Sequence, residues 1–226
     1  MKKRINHIIL CLLLLLCGRA LAQKPNNDGG AIRAYLSAGA TFSQIEGDML
    51  KGYKKLGFGA GIGAITPIST TGRWHLSIEM GYAERGVRER SRDILTQYRI
   101  KGMTMGYIDI PLMIHFTDPY GGVMVGAGLC YGVLVRKPHG TIQYSPTYVV
   151  PDTSNMGFER NDIAATLGLR FPIWKQHLWL HMRWQYSLMP VKRDWIFREY
   201  RTTDDYTEYH NDCYNNSITL RLIWRM

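Results

Sequence analysis

The chain has 226 residues, 46% of them hydrophobic, 12% aromatic and 20% charged, with a formal net charge of +10. That length fits one domain, and past the first 22 residues no apolar run reaches the roughly 18 residues of a membrane-crossing helix. An excess of base in an exported chain suits anionic lipid head groups and argues against nucleic acid as a partner.

Export is written at the start of the chain. Lys2, Lys3 and Arg4 precede an unbroken apolar run from Ile8 to Cys17, and Ala20-Leu21-Ala22 offers a small-x-small cleavage site before Gln23. Residues 1–22 are therefore read as a signal peptide, and residues 23–226 as an outer-membrane β-barrel domain. Bulky Leu16 before Cys17 weakens a lipoprotein alternative. Four of the 28 Lys and Arg residues and none of the 18 acids lie in the signal, so the mature chain carries 24 − 18 = +6. Cys11 and Cys17 leave with the signal. Cys130 and Cys213 remain, and an oxidising compartment permits a bridge between them. They are placed far apart around a closed wall, which predicts two free thiols instead.

Eight strands are expected, over residues 31–42, 55–67, 74–85, 103–117, 122–135, 162–174, 178–190 and 216–226. The fifth shows the pattern best. Val123, Val125, Ala127, Leu129, Tyr131, Val133 and Val135 share one parity, and Gly122, Gly126, Gly128, Cys130 and Gly132 share the other. Successive strand side chains point to opposite faces, so one face is greasy and the other nearly bare. The connections near 69–73, 118–121 and 175–177 are tight, whereas those near 43–54, 86–102, 136–161 and 191–215 are long. This is the asymmetry of an all-β, eight-stranded antiparallel transmembrane β-barrel, with short periplasmic turns, long extracellular loops and both termini on the periplasmic side.

A soluble barrel also alternates, with its apolar face inward. Two features favour the membrane. The non-apolar face of the second strand reads Gly57, Gly59, Gly61, Gly63, which fits a cramped lumen better than a wet surface. The outward aromatics also fall into two rings. Phe42, Phe58, Tyr82, Tyr131 and Tyr186 lie near the extracellular end, and Trp74, Phe116, Phe171 and Trp224 near the periplasmic end. Trp74 and Tyr82 are separated by roughly 20 Å of tilted strand, the height of an apolar band. Only Trp184 falls clearly between the rings.

The inward parity carries Glu79, Asp109, Arg170, Arg183 and Arg221. Glu79 and Asp109 are on neighbouring strands half-way around the ring from Arg183 and Arg221, so the two sets are expected to face each other. Buried charges must pair or bind water. A structural plug of salt bridges is the first reading, a gated ion path or proton relay the alternative. Pro111 cannot donate a ladder hydrogen bond, so a bulge or gap is expected beside Asp109.

An enzyme reading finds little support. There is no Gly-x-Ser-x-Gly elbow, His210 and Asp212 are merely close in sequence, and His210 with Cys213 makes no metal cluster. No cofactor is implied. The loops are the better place for specific function. Arg88, Arg90, Arg92, Arg99 and Lys101 form a basic stretch suited to lipopolysaccharide phosphates. The last loop mixes Tyr200, Tyr206, Tyr209 and Tyr214 with Asp204, Asp205, Glu208 and Asp212, a composition suited to envelope or surface proteins.

The run Phe42-Ser43-Gln44-Ile45-Glu46-Gly47-Asp48, then Gly52-Tyr53-Lys54-Lys55-Leu56-Gly57-Phe58, resembles the PorT-like outer-membrane β-barrel family of Bacteroidota. Tyr107-Ile108-Asp109-Ile110-Pro111-Leu112 is similar to that family's Tyr-Ile-Glu/Asp-Ile-Pro-Leu strand, and Ser187-Leu188 also fits. The resemblance implies an eight-stranded barrel and, through the family's namesake, a link to type IX protein secretion as the expected role. Met226 stands where outer-membrane barrels commonly end in Phe, with Trp224 two places earlier.

Overall fold

The computed structural model describes residues 32–48, 52–88, 99–145, 148–150, 157–174, 177–200 and 206–226. The signal-peptide reading of residues 1–22 lies outside them. The strands are β1 (Arg33–Glu46), β2 (Lys55–Pro67), β3 (Trp74–Val87), β4 (Arg99–Thr117), β5 (Met124–Ser145), β6 (Tyr148–Val150), β7 (Asn161–Trp174), β8 (Leu178–Ser187), β9 (Lys192–Tyr200) and β10 (Tyr206–Arg225). Eight of these close an antiparallel ring in the order β1-β2-β3-β4-β5-β7-β8-β10, with β10 returning to β1. The closing seam is continuous from Tyr35 opposite Arg225 to Glu46 opposite Tyr214.

The faces are sorted inversely to those of a water-soluble protein. Along β7, Asp162, Ala164, Thr166, Gly168 and Arg170 are buried, while Ile163 and Leu167 between them are exposed. The largest fully enclosed side chains are Arg85, Arg183 and Arg221. Outside, Met80 and Leu129 are each 57% exposed and Leu112 is 50% exposed. A wall of this kind is stable only against hydrocarbon, since apolar area is otherwise left in water. The chain is a transmembrane β-barrel, and the parity of each strand is fixed by which side meets lipid.

The tight turns behave as short connections should. In the β4–β5 turn, Asp118 Oδ2 accepts from the Gly121 N–H (2.6 Å) and the Asp118 carbonyl accepts from the Gly122 N–H (3.1 Å). Gly122 has φ +67, a left-handed conformation that a side chain would strain, and it belongs to the turn rather than to the fifth strand as expected. Pro111 is in regular register with Cys130 on β5. Toward β3 the ladder skips from Leu112–Ile78 to Asp109–Gly81, which is the gap expected beside a residue without an N–H.

The main departures are at the extracellular end. β5 runs ten residues past Val135, to Ser145, and β6 folds back on its tip. The stretch expected as a loop near 191–215 is a β-hairpin, with Tyr200 opposite Tyr206 and Trp195 opposite Asn211, bulged between Asn211 and Cys213. Above the hydrocarbon both faces of a strand are wet, so the two-residue alternation that identifies a strand fades although the backbone ladder continues.

Candidate functional site

The lumen is filled in layers. At the periplasmic end Tyr35, Ile65, Met124, Trp179 and Ile223 form an apolar floor, and the Arg225 guanidinium lies 5.0 Å from the Trp179 ring centroid. Above it, Ser77 Oγ and His115 Nε2 are hydrogen-bonded at 2.7 Å. Arg170 donates to Tyr35 Oη (3.3 Å) and Ser77 Oγ (3.4 Å) and sits over the Tyr35 ring.

The next two layers hold the ion pairs. Glu79 Oε1 accepts from Arg221 (2.8 Å) and from Arg183 (3.4 Å), reaching across the lumen from β3 to β10 and β8. Closer to the extracellular end, Arg85 pairs with Asp109 and with Asp162, the latter at 3.3 Å. Asn215 Nδ2 donates to the same Asp162 oxygen that Arg85 uses (3.1 Å), and the Tyr107 ring lies 5.0 Å from the guanidinium carbon. Over this, Ile45, Val87, Met103, Met105, Tyr107, Trp195 and Cys213 close the extracellular end. Charges in such an interior are tolerated only with partners in place.

The five expected lumen residues are all buried, but they do not form one cluster. Glu79, Arg183 and Arg221 meet. Asp109 instead joins Arg85, and Arg170 takes hydroxyl and aromatic partners. The registers explain this. Asp109 is opposite Gly132 on β5, and Gly132 is opposite Asp162 on β7. A side chain at Gly132 would come within 3.1 Å of Asp109 Oδ1. Two carboxylates thus flank a bare glycine and share the nearest cation, Arg85. That pairing crosses from β3 to β7 and cannot be read from parity alone.

Of the nine expected belt aromatics, Phe42, Phe58, Trp74, Phe116, Tyr131, Phe171 and Trp224 are exposed on the outer wall, and Tyr82 and Tyr186 are half-buried on the same face. Trp74 and Phe116, direct partners across β3 and β4, make an edge-on pair at 5.3 Å, and the Tyr131 hydroxyl donates to Asn161 Oδ1 (2.9 Å). Trp184, between the rings, donates its indole N–H to Asn216 Oδ1 (2.9 Å), an oxygen that also accepts from Tyr53 Oη (2.7 Å). Tyr186 stacks between Trp184 and Tyr214.

Of the expected lipopolysaccharide contacts, Arg88 is exposed just past β3. Arg90 and Arg92 lie outside the described residues, and Arg99 and Lys101 are placed by their backbone in β4. His210 Nδ1 is 2.6 Å from Asp194 Oδ1, and Asp212 accepts from the Asp194 N–H, on the exposed β9–β10 hairpin. Cys130 and Cys213 are free and buried. Among the described residues no three His, Cys, Asp or Glu side chains gather as a metal site would require.

No protein-family model matches the chain, and no curated protein matches it. Solved structures do. Ail, the attachment invasion locus protein of Yersinia pestis, solved with the heparin analogue sucrose octasulfate, is 14% identical over 88% of this chain and 99% of its own, with a TM-score of 0.47. Neisserial surface protein A is 10% identical over 85% and 97%, TM-score 0.48. A major outer membrane protein from Thermus thermophilus is 11% identical over 87% and 100%, TM-score 0.45.

Proposed function

We propose that this is an outer-membrane barrel with a non-catalytic structural or interaction role, working through its surfaces rather than through its lumen. The observation that supports this reading is the packing of the lumen: apolar clusters at both ends, with the Glu79–Arg183–Arg221 and Arg85–Asp109–Asp162 ion pairs between them. Contact with envelope or surface partners then falls to the extracellular hairpins, and contact with lipid and lipopolysaccharide to the belted wall. The motifs similar to PorT-like proteins add a finer reading, a part in type IX secretion. Loss of secreted cargo on deletion of the gene, restored by the wild-type chain, tests it.

Reconstitution into planar bilayers tests whether that packing seals the lumen. The wild-type barrel is expected to be silent. Glu79→Gln removes the carboxylate shared by Arg183 and Arg221 and should raise open events if the network is the seal. Steady conductance from the wild type would favour the narrow-channel reading. Fractionation to the inner membrane or periplasm would overturn the outer-membrane assignment.

A further inference from the structure

The outer wall has a feature that neither the belt nor the packed lumen explains. Between β1, β2, β3 and β10 the lipid-facing surface is hollowed into an open groove of about 730 Å³. Its floor is Ala38 and Ala60, which are direct partners across β1 and β2. Leu36, Ile62, Met80 and Leu222 stand around that floor as taller walls. The groove extends from Trp224 of the periplasmic belt to Tyr82 of the extracellular belt. Tyr82, Ala60, Ala38 and Leu222 form one cross-strand row and Met80, Ile62, Leu36 and Trp224 the next, so the groove runs obliquely across four strands and offers room for part of an acyl chain.

Directly above Tyr82 the wall turns cationic. Lys55 is close enough to Glu84, Arg88 and Arg136 to feel the charge of each. Glu84 is already engaged: Arg136 donates to it at 3.3 Å, Tyr82 Oη at 3.4 Å and the Phe58 N–H at 3.5 Å. Arg88 and Arg136 are exposed at this rim, and the Lys55 ammonium beside them donates to the Leu56 carbonyl (3.1 Å), so one occupied carboxylate leaves an excess of positive charge at head-group level. Gly106 makes the arrangement compact. A side chain there would come within 2.6 Å of Tyr82 Oη and 2.9 Å of Arg136 Cβ, so the bare glycine lets phenol and guanidinium share one spot.

Apolar groove and cationic cluster meet at Tyr82, which lines the first and hydrogen-bonds within the second. We infer that β1, β2 and β3, with Arg136 of β5, form a binding site for one lipopolysaccharide molecule, seating part of an acyl chain over Ala38 and Ala60 and its lipid A phosphate among Lys55, Arg88 and Arg136. The cluster is at the end opposite the tight turns, the outer-leaflet side, where phosphorylated and multiply acylated lipid is the anion at hand. Guanidinium and ammonium groups at a partly desolvated rim bind phosphate strongly. The inference rests on the outer-membrane reading above.

Native mass spectrometry of the folded, mature protein in detergent tests it, using three probes: deep-rough lipopolysaccharide, the same lipid stripped of its phosphates, and phosphatidylglycerol. The wild type should retain the phosphorylated lipopolysaccharide at least about tenfold better than either other lipid. Lys55→Gln with Arg136→Gln should abolish that preference. Ala60→Phe, which fills the groove floor and leaves every cation in place, should weaken retention of both lipopolysaccharide forms. Equal retention of the stripped lipid or of phosphatidylglycerol by the wild type overturns the site, and these arms need no variant to fold. Unchanged selectivity in the double variant overturns it as well. A barrel that fractionates to the outer membrane yet shows no preference loses this inference alone.

Discussion

Arg85 is the side chain on which the uppermost charged layer of the lumen depends. It neutralises two carboxylates, Asp109 and Asp162, neither of which has another described cation within ion-pair distance. Removing one partner of a buried pair leaves an uncompensated charge and costs about 3–5 kcal/mol, more than the pair itself contributes. Arg85→Met is therefore expected to lower the urea midpoint of the refolded barrel, followed by the shift between folded and unfolded gel mobility. Adding Asp109→Asn and Asp162→Asn to it should recover much of the loss, because no buried charge then stands alone. A triple variant as unstable as the single one would show that packing, not charge, sets the cost.

Among the elements, β5 shows how closely the lumen is fitted. Gly126 is opposite His115, and a side chain there would come within 2.2 Å of the His115 ring. Gly126→Val must displace that ring and break its bond to Ser77, so the folded fraction should fall sharply in the same gel assay. The β9–β10 hairpin is the other exposed dependence. Trp195 packs with Cys213 in the extracellular plug, against Phe158 edge-on at 5.8 Å. Trp195→Ala in a Cys130→Ala background should speed maleimide labelling of Cys213 from outside. An unchanged rate would mean that the rest of the plug suffices.

These elements also show what the sequence made legible. Parity along β2, β3, β5 and β7 separated wall from lumen because lipid accepts only one kind of side chain. The outward side of the belt aromatics was legible for the same reason, since their parity is that of the exposed apolar residues. The β9 strand was not legible, because Lys192, Arg193, Asp194 and Trp195 stand above the bilayer, where nothing enforces alternation. Nor was the Arg85 cluster, because partners across a lumen depend on stagger between strands that are distant in sequence. Lys55 and Arg136 were missed as well. They are 81 positions apart in the chain and converge on Glu84.

For the molecule as a whole, stability and closure are one event. β1 has hydrogen-bonded neighbours on both edges only when β10 is in place, along a seam that includes Leu36 opposite Trp224 and Phe42 opposite Ile218. Deleting residues 218–226 removes most of that seam and the inward side chains Thr219, Arg221 and Ile223. The shortened chain should show no heat-modifiable band at all, rather than a weaker one. A partly shifted band would mean that an open sheet can persist in detergent.

That seam has a consequence for the chain's life before it reaches its membrane. The strand made first must find the strand made last, across nearly the full length of the polypeptide. Until then its edge is bare and its oily stripe faces water, the condition under which chains stick to one another. Meeting of the two ends inside lipid removes both hazards at once: the bare edge finds its partner and the oily stripe leaves water.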